Sequence, residues 1–168
     1  SSAAVPPIPG LDGVDFLTNE SVFDRDSLPD HLIVIGGGPI GVEMAQAHAQ
    51  LGCKVTLLEM FSIMANDDGD LVDVVRRALV AGGIDIREGI KIAGVEKTDT
   101  GVAVTIDDGG ESQRIEGSHL LVAAGRRANV AGLDLEKAGI DHTPKGITVD
   151  ARLRSTNKKV FAIGDVVG

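Results

Sequence analysis

Three glycines close to the first apolar run could bind the phosphates of a dinucleotide. Gly36, Gly38 and Gly41 follow the apolar run 31–35 and open a stretch with helical periodicity. In this strand–turn–helix setting the first glycine permits a tight turn, the second lets the backbone approach a pyrophosphate, and the third lets the helix pack closely on the strand. The start of the helix also offers free N–H groups to phosphate oxygens.

A carboxylate stands where the second apolar run ends, at Glu59. A carboxylate there can accept hydrogen bonds from both hydroxyls of an adenine ribose, and it repels a 2′-phosphate. Residues 60–75 contain no Lys or Arg, whereas a 2′-phosphate site usually has basic groups just beyond this strand. The sequence therefore predicts a preference for NAD(H) over NADP(H). The alternatives are a glycine turn without a ligand, or a site for another adenosine-bearing ligand such as S-adenosylmethionine or FAD.

The composition is that of a single folded domain with an acidic surface. The chain has 168 residues, 43% of them hydrophobic, and a formal net charge of -9. An acidic domain is repelled by nucleic acid and by anionic membranes, so neither is an expected partner. No apolar run approaches the roughly 20 residues of a membrane helix, and the first residues lack the pattern of a signal peptide. We expect a cytoplasmic protein.

The cysteine and histidine content argues against a disulfide and against a metal site. Cys53 is the one cysteine, so no intrachain disulfide and no zinc set can form. It lies between a glycine and an apolar strand, which favours a small buried hydrophobic residue over a reactive thiol. The four histidines show no ligand spacing, and we expect no metal.

Two helices are predicted from the spacing of apolar residues, over 39–51 and 68–82. Gly52 and the pair Gly82-Gly83 are typical helix ends, and Asp67 or Asp68 could cap the second helix. The predicted buried faces are Ile40, Met44, Ala47 and Leu51 in the first helix, and Leu71, Val74, Val75, Ala78 and Leu79 in the second. The proline-containing residues 1–30 are predicted to form an extended arm, with the core beginning near His31.

After the strand predicted at 84–87, the pattern changes to short alternating segments. These lie near 90–97, 101–107 and 112–116, with turn sequences between them. They predict a three-stranded antiparallel meander inserted into the domain. Asp107 and Asp108 could be a catalytic pair, but their glycine-rich surroundings favour a turn. The predicted fold class is α/β, a Rossmann-like three-layer domain with a central parallel sheet and this inserted meander.

Two later segments could bring further groups to a ligand. The strand predicted at 119–125 ends in Gly125 and is followed by Arg126 and Arg127, which could form a second approach to a dinucleotide. Alternatively, these arginines are solvated or pair with an acidic neighbour. Residues 155–165 are predicted to form another buried strand that ends at Asp165, and open α/β sheets bind ligands at such strand ends.

Taken together, these motifs resemble the pyridine nucleotide-disulfide oxidoreductases, in the group of dihydrolipoyl dehydrogenase, glutathione reductase and mercuric reductase. The resemblance covers nearly all of the chain. It rests on Gly36-x-Gly38-x-x-Gly41-x-Glu43, Ala124-Gly125-Arg126-Arg127-x-Asn129, Gly146-Ile-Thr-Val-Asp150, and the segment from Thr156 to Gly164-Asp165. In this family an NAD(P) domain interrupts an FAD domain in sequence. The resemblance thus implies a linker from the first FAD segment at 1–30, an NAD-binding domain at 31–150, and a return to the FAD domain at 151–168.

The resemblance also implies a role for individual residues. The implied cofactor-binding residues are Gly36, Gly37, Gly38, Pro39 and Ile40 at the pyrophosphate, Glu59 at the adenosine ribose, Ile92 on the adenine side, Gly125 at the nicotinamide end, and Asp165 at the ribitol of FAD. Gly41 and Arg126 are further expected cofactor-binding residues. Glu43 would lie near the nicotinamide and the flavin as the catalytic residue, paired with a lysine of the FAD domain. Alternatively, Glu43 is an exposed first-turn carboxylate that interacts favourably with the helix dipole. Ala128 departs from the family, where Pro is frequent.

By this resemblance, the parent enzyme would pass a hydride between NADH and FAD, and electrons onward to a disulfide or a metal ion. The redox cysteines and the FAD motif would precede Ser1, and a dimerisation domain would follow, so the isolated chain is expected to be inactive and its parent a homodimer. Two alternatives remain open. One is a freestanding NAD-binding or sensing module, and the other is a flavoprotein without redox cysteines, such as an NADH oxidase or a ferredoxin reductase.

Overall fold

The computed structural model describes residues 1–167. They form two compact units, one of residues 5–125 and one of residues 1–4 with the chain from Arg126 onward. The elements in chain order are β1 (Ser2–Ala3), β2 (His31–Ile35), α1 (Pro39–Gln50), β3 (Lys54–Leu58), α2 (Gly69–Ala81), β4 (Asp85–Arg87), β5 (Lys91–Thr98), β6 (Gly101–Asp108), β7 (Glu111–Gly117), β8 (His119–Val122), β9 (Arg126–Arg127), β10 (His142–Thr143) and β11 (Gly146–Ile147).

The larger unit is built on a parallel sheet with strand order β4-β3-β2-β8. The helices α1 and α2 are the crossovers from β2 to β3 and from β3 to β4, as parallel neighbours require. The register pairs Ile35 with Leu58 and with Val122, so these three strands end at one edge of the sheet. The predicted central parallel sheet is confirmed.

The sheet is covered on both faces, which accounts for its continuous apolar strands. On β2, Leu32 and Val34 pack in a core with residues of the two helices, while Ile33 and Ile35 pack in a second core with residues of the meander. Strands β5, β6 and β7 form that meander, and Asp107 accepts a hydrogen bond from the Gly110 N–H at 2.8 Å in its turn. The three-layer prediction and the turn role of Asp107 are both confirmed.

Helix α1 differs from its prediction at several positions of its buried face. Gly38 is the N-cap, with Pro39 in the first turn, and the helix ends at Gln50. Met44 is buried as predicted, but Leu51 is 71% exposed. The helix has ended by then, and Gly52 follows with φ of +98°. The face prediction was therefore wrong at Leu51, and it omitted Val42 and Ala45, which are buried.

Helix α2 is rotated relative to its predicted face. The side chain of Asp68 caps it, as expected, by accepting the Asp70 N–H at 3.0 Å. Leu79 is buried as predicted and Val75 packs against the core, but the other buried residue is Val72. Of the remaining residues predicted to be buried, Leu71, Val74 and Ala78 are exposed. The helix carries apolar residues on two adjacent stripes, and only one of them faces the sheet.

This rotation can be tested with two identical substitutions on one helix. Val72→Ala is expected to lower the free energy of unfolding by about 1.5–2 kcal/mol, because it removes two buried methyl groups and leaves a cavity. Val72 is 6% exposed and Val74 is 55% exposed. Val74→Ala should therefore change stability by less than about 0.5 kcal/mol. Urea denaturation followed by circular dichroism measures both, and equal losses would contradict the observed rotation.

The N-terminal segment is more than an extended arm. Within the described residues 1–30 there is no α-helix, in line with the prediction, but there are short 3₁₀ turns at Leu11–Gly13 and Val22–Asp24. Leu11 and Val22 are buried in the two cores. Leu17 forms a parallel bridge with Leu121 beside β8. The expectation that the core begins near His31 was therefore wrong.

The smaller unit contains two short antiparallel pairs, β1 with β9 and β10 with β11. Its core is formed by Leu135, Ile140, Ile147 and Ala162. The buried strand predicted at 155–165 is not observed. That segment makes a single bridge, between Arg154 and Phe161, and Phe161 is exposed. In the described part of the chain it pairs with no further strand, and only Ser155 and Ala162 in this segment are buried.

No helix in residues 1–167 has the length and apolar character to span a membrane.

Candidate functional site

The glycine loop between β2 and α1 has a backbone that other residues could not follow. Gly36 has φ of +110°, and a Cβ there would stand 2.4 Å from the carbonyl oxygen of Ala123. A Cβ on Gly41 would stand 1.8 Å from the carbonyl oxygen of Gly36. Helix, loop and the end of β8 are therefore packed backbone to backbone. Around Gly38, in contrast, no atom of the described chain lies within 4 Å of a Cβ position.

The first turn of α1 is open to an external partner. No side chain within residues 1–167 caps it, and its N-cap residue is Gly38, which has no side chain to offer. The first N–H groups of a helix have no partner inside the helix, and the aligned peptide dipoles make this end positive. Such an end binds phosphate oxygens without further rearrangement.

Glu59 lies directly after β3 and its carboxylate is fixed against the glycine loop. Oε2 accepts the Gly37 N–H at 2.6 Å, and Oε1 accepts the Phe61 N–H at 2.9 Å. Both are charge-assisted hydrogen bonds, which are stronger than neutral ones. An ionised carboxylate has about four acceptor positions, so each oxygen retains one for a further donor. The carboxylate can thus accept two hydroxyl groups while it remains oriented.

Two further predicted residues lie in the same unit. Ala123 donates its N–H to the Ile35 carbonyl at 2.8 Å, so the segment that leads to Gly125 runs beside the glycine loop. Gly125 has φ of +119°, and no atom of residues 1–167 would contact a Cβ on it. Ile92 is half-buried near the start of β5 and packs on the second core. The segment before it approaches Glu59, whose carbonyl accepts the Ile90 N–H at 3.4 Å.

Glu43 is exposed on α1, but it is the fifth residue of the helix. None of the described residues in the first turn is acidic. The alternative interpretation of Glu43 as a first-turn carboxylate was therefore wrong. In the second turn it contributes little to the interaction with the helix dipole, because that effect fades after the first turn.

Arg126 and Asp165 belong to the smaller unit, where they contact each other. Arg126 Nε lies 3.1 Å from Asp165 Oδ2, and Nε also donates to Ser1 Oγ at 2.8 Å. Hydrogen bonds from Ser1 and then from Arg126 lower the pKa of the Asp165 carboxyl below its ordinary value. Arg126 thus pairs with an acidic neighbour, which was one of the alternatives considered for this arginine. Arg127 donates to Ser2 Oγ at 3.3 Å.

Sequence reasoning missed a charged pair close to the loop after Glu59. Arg76 on α2 and Glu88 after β4 pair at 2.8 Å, and Glu88 also accepts the Ile63 N–H at 2.7 Å. The pKa of Glu88 is lowered, first by the hydrogen bond from Arg76. In sequence, both residues look like ordinary solvent-facing charges. Only their contacts in the fold show that they meet.

Cys53 and the possible metal ligands add no further chemistry to the site. Cys53 is buried at the start of β3, and burial raises the pKa of its thiol. The structure thus confirms the predicted buried position. Across residues 1–167, no three His, Cys, Asp or Glu side chains gather as a metal site would require.

The chain matches the family model described as pyridine nucleotide-disulphide oxidoreductase over residues 1–168. The mercuric reductase of Streptomyces lividans is 34% identical over 99% of this chain and 35% of its own length. The dihydrolipoyl dehydrogenase of Thermus scotoductus is 40% identical over 84% of this chain and 32% of its own length. The chain spans about a third of the length of the curated relatives it matches.

A solved structure extends the comparison to the fold. The water-forming NADH oxidase from Lactobacillus brevis, bound to NADH, superimposes with a TM-score of 0.81 at 27% identity. The match covers 99% of this chain and 37% of that one. The fold of this chain is therefore shared with a part of that larger protein.

Proposed function

The chain belongs to the pyridine nucleotide-disulphide oxidoreductase family, whose members are FAD- and NAD(P)-dependent oxidoreductases, and on that premise we propose that it is the NAD(H)-binding domain of such an enzyme. The parent protein would pass a hydride between NADH and FAD, and electrons onward to a disulfide or a metal ion. Residues 31–150 would form the nucleotide domain, with 1–30 and 151–168 linking it to an FAD domain.

One observation supports this proposal above the others. The Glu59 carboxylate is hydrogen-bonded to the Gly37 N–H at 2.6 Å, inside a glycine loop that leads to an uncapped helix start. A phosphate-binding end and a hydroxyl acceptor thus stand side by side, which matches the chemistry of an adenine ribose joined to a pyrophosphate. The negative charge of Glu59 would oppose the 2′-phosphate of NADP(H).

The residues of the loop fit NAD(H) as a ligand. Gly38 has open space where a side chain would otherwise stand, and the first-turn N–H groups of α1 would hold the pyrophosphate. Glu59 would accept the ribose hydroxyls, and Ile92 would lie on the adenine side. When bound, NADH supplies the hydride, and the protein's part is to orient the nicotinamide.

The remaining assignments are also part of the proposal. Gly125, where an added Cβ would contact no atom of residues 1–167, would lie at the nicotinamide end, and Arg126 would also bind the cofactor. Glu43 would face the nicotinamide and the flavin from the exposed side of α1. Asp165 would bond the ribitol of FAD. The parent protein would bind NAD(H) and FAD, and it would form a homodimer.

The leading proposal and the second candidate, an NADH oxidase, differ in their electron acceptor. Relatives named mercuric reductase and dihydrolipoyl dehydrogenase favour a metal ion or a disulfide. The similarity to a water-forming NADH oxidase favours dioxygen instead. A pair of redox cysteines in the parent would support the disulfide class. A parent protein that binds NAD(H) but contains no flavin would contradict both candidates.

The experiment is an anaerobic titration of the purified parent protein with NADH. We expect the protein to carry FAD and NADH to bleach the flavin absorbance at a rate that saturates with NADH concentration. A disulfide, a mercuric ion or dioxygen should then restore the absorbance, and the acceptor is the one that does so fastest at equal concentration. A parent without flavin, or a flavin that NADH fails to reduce, would contradict the proposal.

A further inference from the structure

We propose that Arg76 and Glu88 are positioning residues for the dinucleotide, acting through the segment 60–64 on Gly37 and Glu59. The inference rests on the proposed function, because it assigns these two residues to the same nucleotide site. Neither residue touches the loop glycines directly. Their effect would be to fix the backbone that does.

The pair joins α2 to the end of β4 with a fork of hydrogen bonds. Arg76 Nε donates to Glu88 Oε2 at 2.8 Å, and Nη2 donates to Oε1 at 3.0 Å. Asp73 on the same helix turn also pairs with Arg76. A two-point guanidinium–carboxylate contact fixes direction as well as distance, which a lysine could not reproduce.

Glu88 binds the segment 60–64 through two hydrogen bonds. Its Oε1 accepts the Ile63 N–H at 2.7 Å and the Ser62 hydroxyl at 3.1 Å. Arg76 Nη2 contacts the same hydroxyl at 3.1 Å. One charged pair therefore binds two consecutive residues of the segment. The lowered pKa of Glu88, caused first by Arg76, is in keeping with a carboxylate that stays ionised in this role.

The segment 60–64 in turn contacts the glycine loop. Ile63 is 0% exposed, and its Cγ2 would lie 2.9 Å from a Cβ on Gly37. Met64 donates its N–H to the Gly37 carbonyl at 2.8 Å. At the other end of the segment, the Phe61 N–H binds Glu59 Oε1. Both Gly37 and Glu59 thus depend on where this segment lies.

The backbone at Met64 indicates that the segment is held in place by its neighbours. Met64 has φ of +49°, a left-handed conformation that is uncommon for residues other than glycine. Such conformations persist where surrounding contacts over-determine them, and they cluster at ligand sites. Here the surrounding contacts come from Glu88 on one side of the segment and from Gly37 on the other.

The test compares NADH affinity in Glu88→Gln with a matched control in the full 168-residue chain. Glu88→Gln is expected to raise the Kd for NADH by about fivefold to tenfold, because the segment loses its charged anchor. Arg76→Lys, a second variant that keeps the charge but not the fork, should raise the Kd by about threefold. The control is Glu96→Gln, which breaks the exposed pair with Arg114 on the meander. Its Kd should stay within about twofold of the wild type.

A second measurement separates positioning from general destabilisation. If Glu88 acts through Glu59, its substitution should have less than about a twofold effect in a Glu59→Gln background. Amide hydrogen exchange of Gly37, measured by NMR without ligand, should be about tenfold faster in Glu88→Gln than in Glu96→Gln. A merely structural role would give additive effects on the Kd.

The outcomes distinguish this inference from the proposed function. If the wild type binds NADH while Glu88→Gln and Glu96→Gln behave alike in affinity and in Gly37 exchange, the inference is wrong and the proposed function stands. A wild-type chain that binds no NADH would overturn this inference, whereas the proposed function is decided by the anaerobic experiment on the parent protein.

Discussion

Replacing Gly41 by alanine is expected to lower the free energy of unfolding by about 3 kcal/mol and to weaken NADH binding by about 100-fold or more. The new Cβ would stand 1.8 Å from the Gly36 carbonyl oxygen, and both groups belong to rigid backbone. Helix α1 would have to move away from the loop, which would take its free N–H groups out of place. In an ordinary helix the same change stabilises, since alanine is the better helix former.

The matched variant is Gly38→Ala, three residues earlier in the same loop. Gly38 has φ of −71° and ψ of 179°, which alanine adopts readily, and its Cβ would meet open space. Stability should therefore change by less than about 0.5 kcal/mol. NADH affinity should still fall, because the methyl group would occupy the path of the pyrophosphate. Urea denaturation and NADH titration of both variants measure the two effects separately. A Gly41→Ala chain as stable as the wild type would show that the close contact with Gly36 is absent.

Truncating Glu59 to alanine is expected to raise the Kd for NADH by about 30- to 100-fold, since two hydrogen bonds to a charged acceptor are lost. The loop also loses the acceptor for the Gly37 N–H. The Kd for NADPH should change by less, or fall, because the charge that opposes a 2′-phosphate is gone. We therefore expect the ratio of the two affinities to shrink by at least about tenfold.

The control for this change is Glu111→Gln, which removes one negative charge from the exposed start of β7. It should leave both Kd values within about twofold, as a distant surface charge is screened by salt. Fluorescence titrations of the wild type and both variants give the comparison. NADH affinity that is unchanged in Glu59→Ala would remove Glu59 from the site.

The sequence predicted those parts of the fold that short stretches of chain determine. The continuous apolar strands 31–35 and 54–58, the glycine turn and the alternating segments of the meander each have a local pattern, and all three were confirmed. Gly37 and Glu59 lie near each other because they follow β2 and β3 closely, and the ends of these parallel strands meet at one edge of the observed sheet.

Features that depend on distant contacts could not be predicted from the sequence. Leu71, Val72, Val74 and Val75 give α2 two apolar stripes, and the pattern alone does not decide which faces the sheet. The structure adds the contact of Arg76 with Glu88, which secures one side of the helix. Likewise, Leu17 reaches β8 only because the folded sheet leaves an edge for it. The segment 155–165 has the composition of a strand, but a strand also needs a partner.

The measurement that tests the central claim most directly is a fluorescence titration of the purified chain with NADH and, separately, with NADPH. The protein contains no Trp and no Tyr, so the reduced cofactor is observed without indole or phenol emission. The account predicts saturable binding of NADH that is at least about tenfold tighter than binding of NADPH, as expected from the Glu59 carboxylate. Equal affinities, tighter binding of NADPH, or binding of neither cofactor would contradict it.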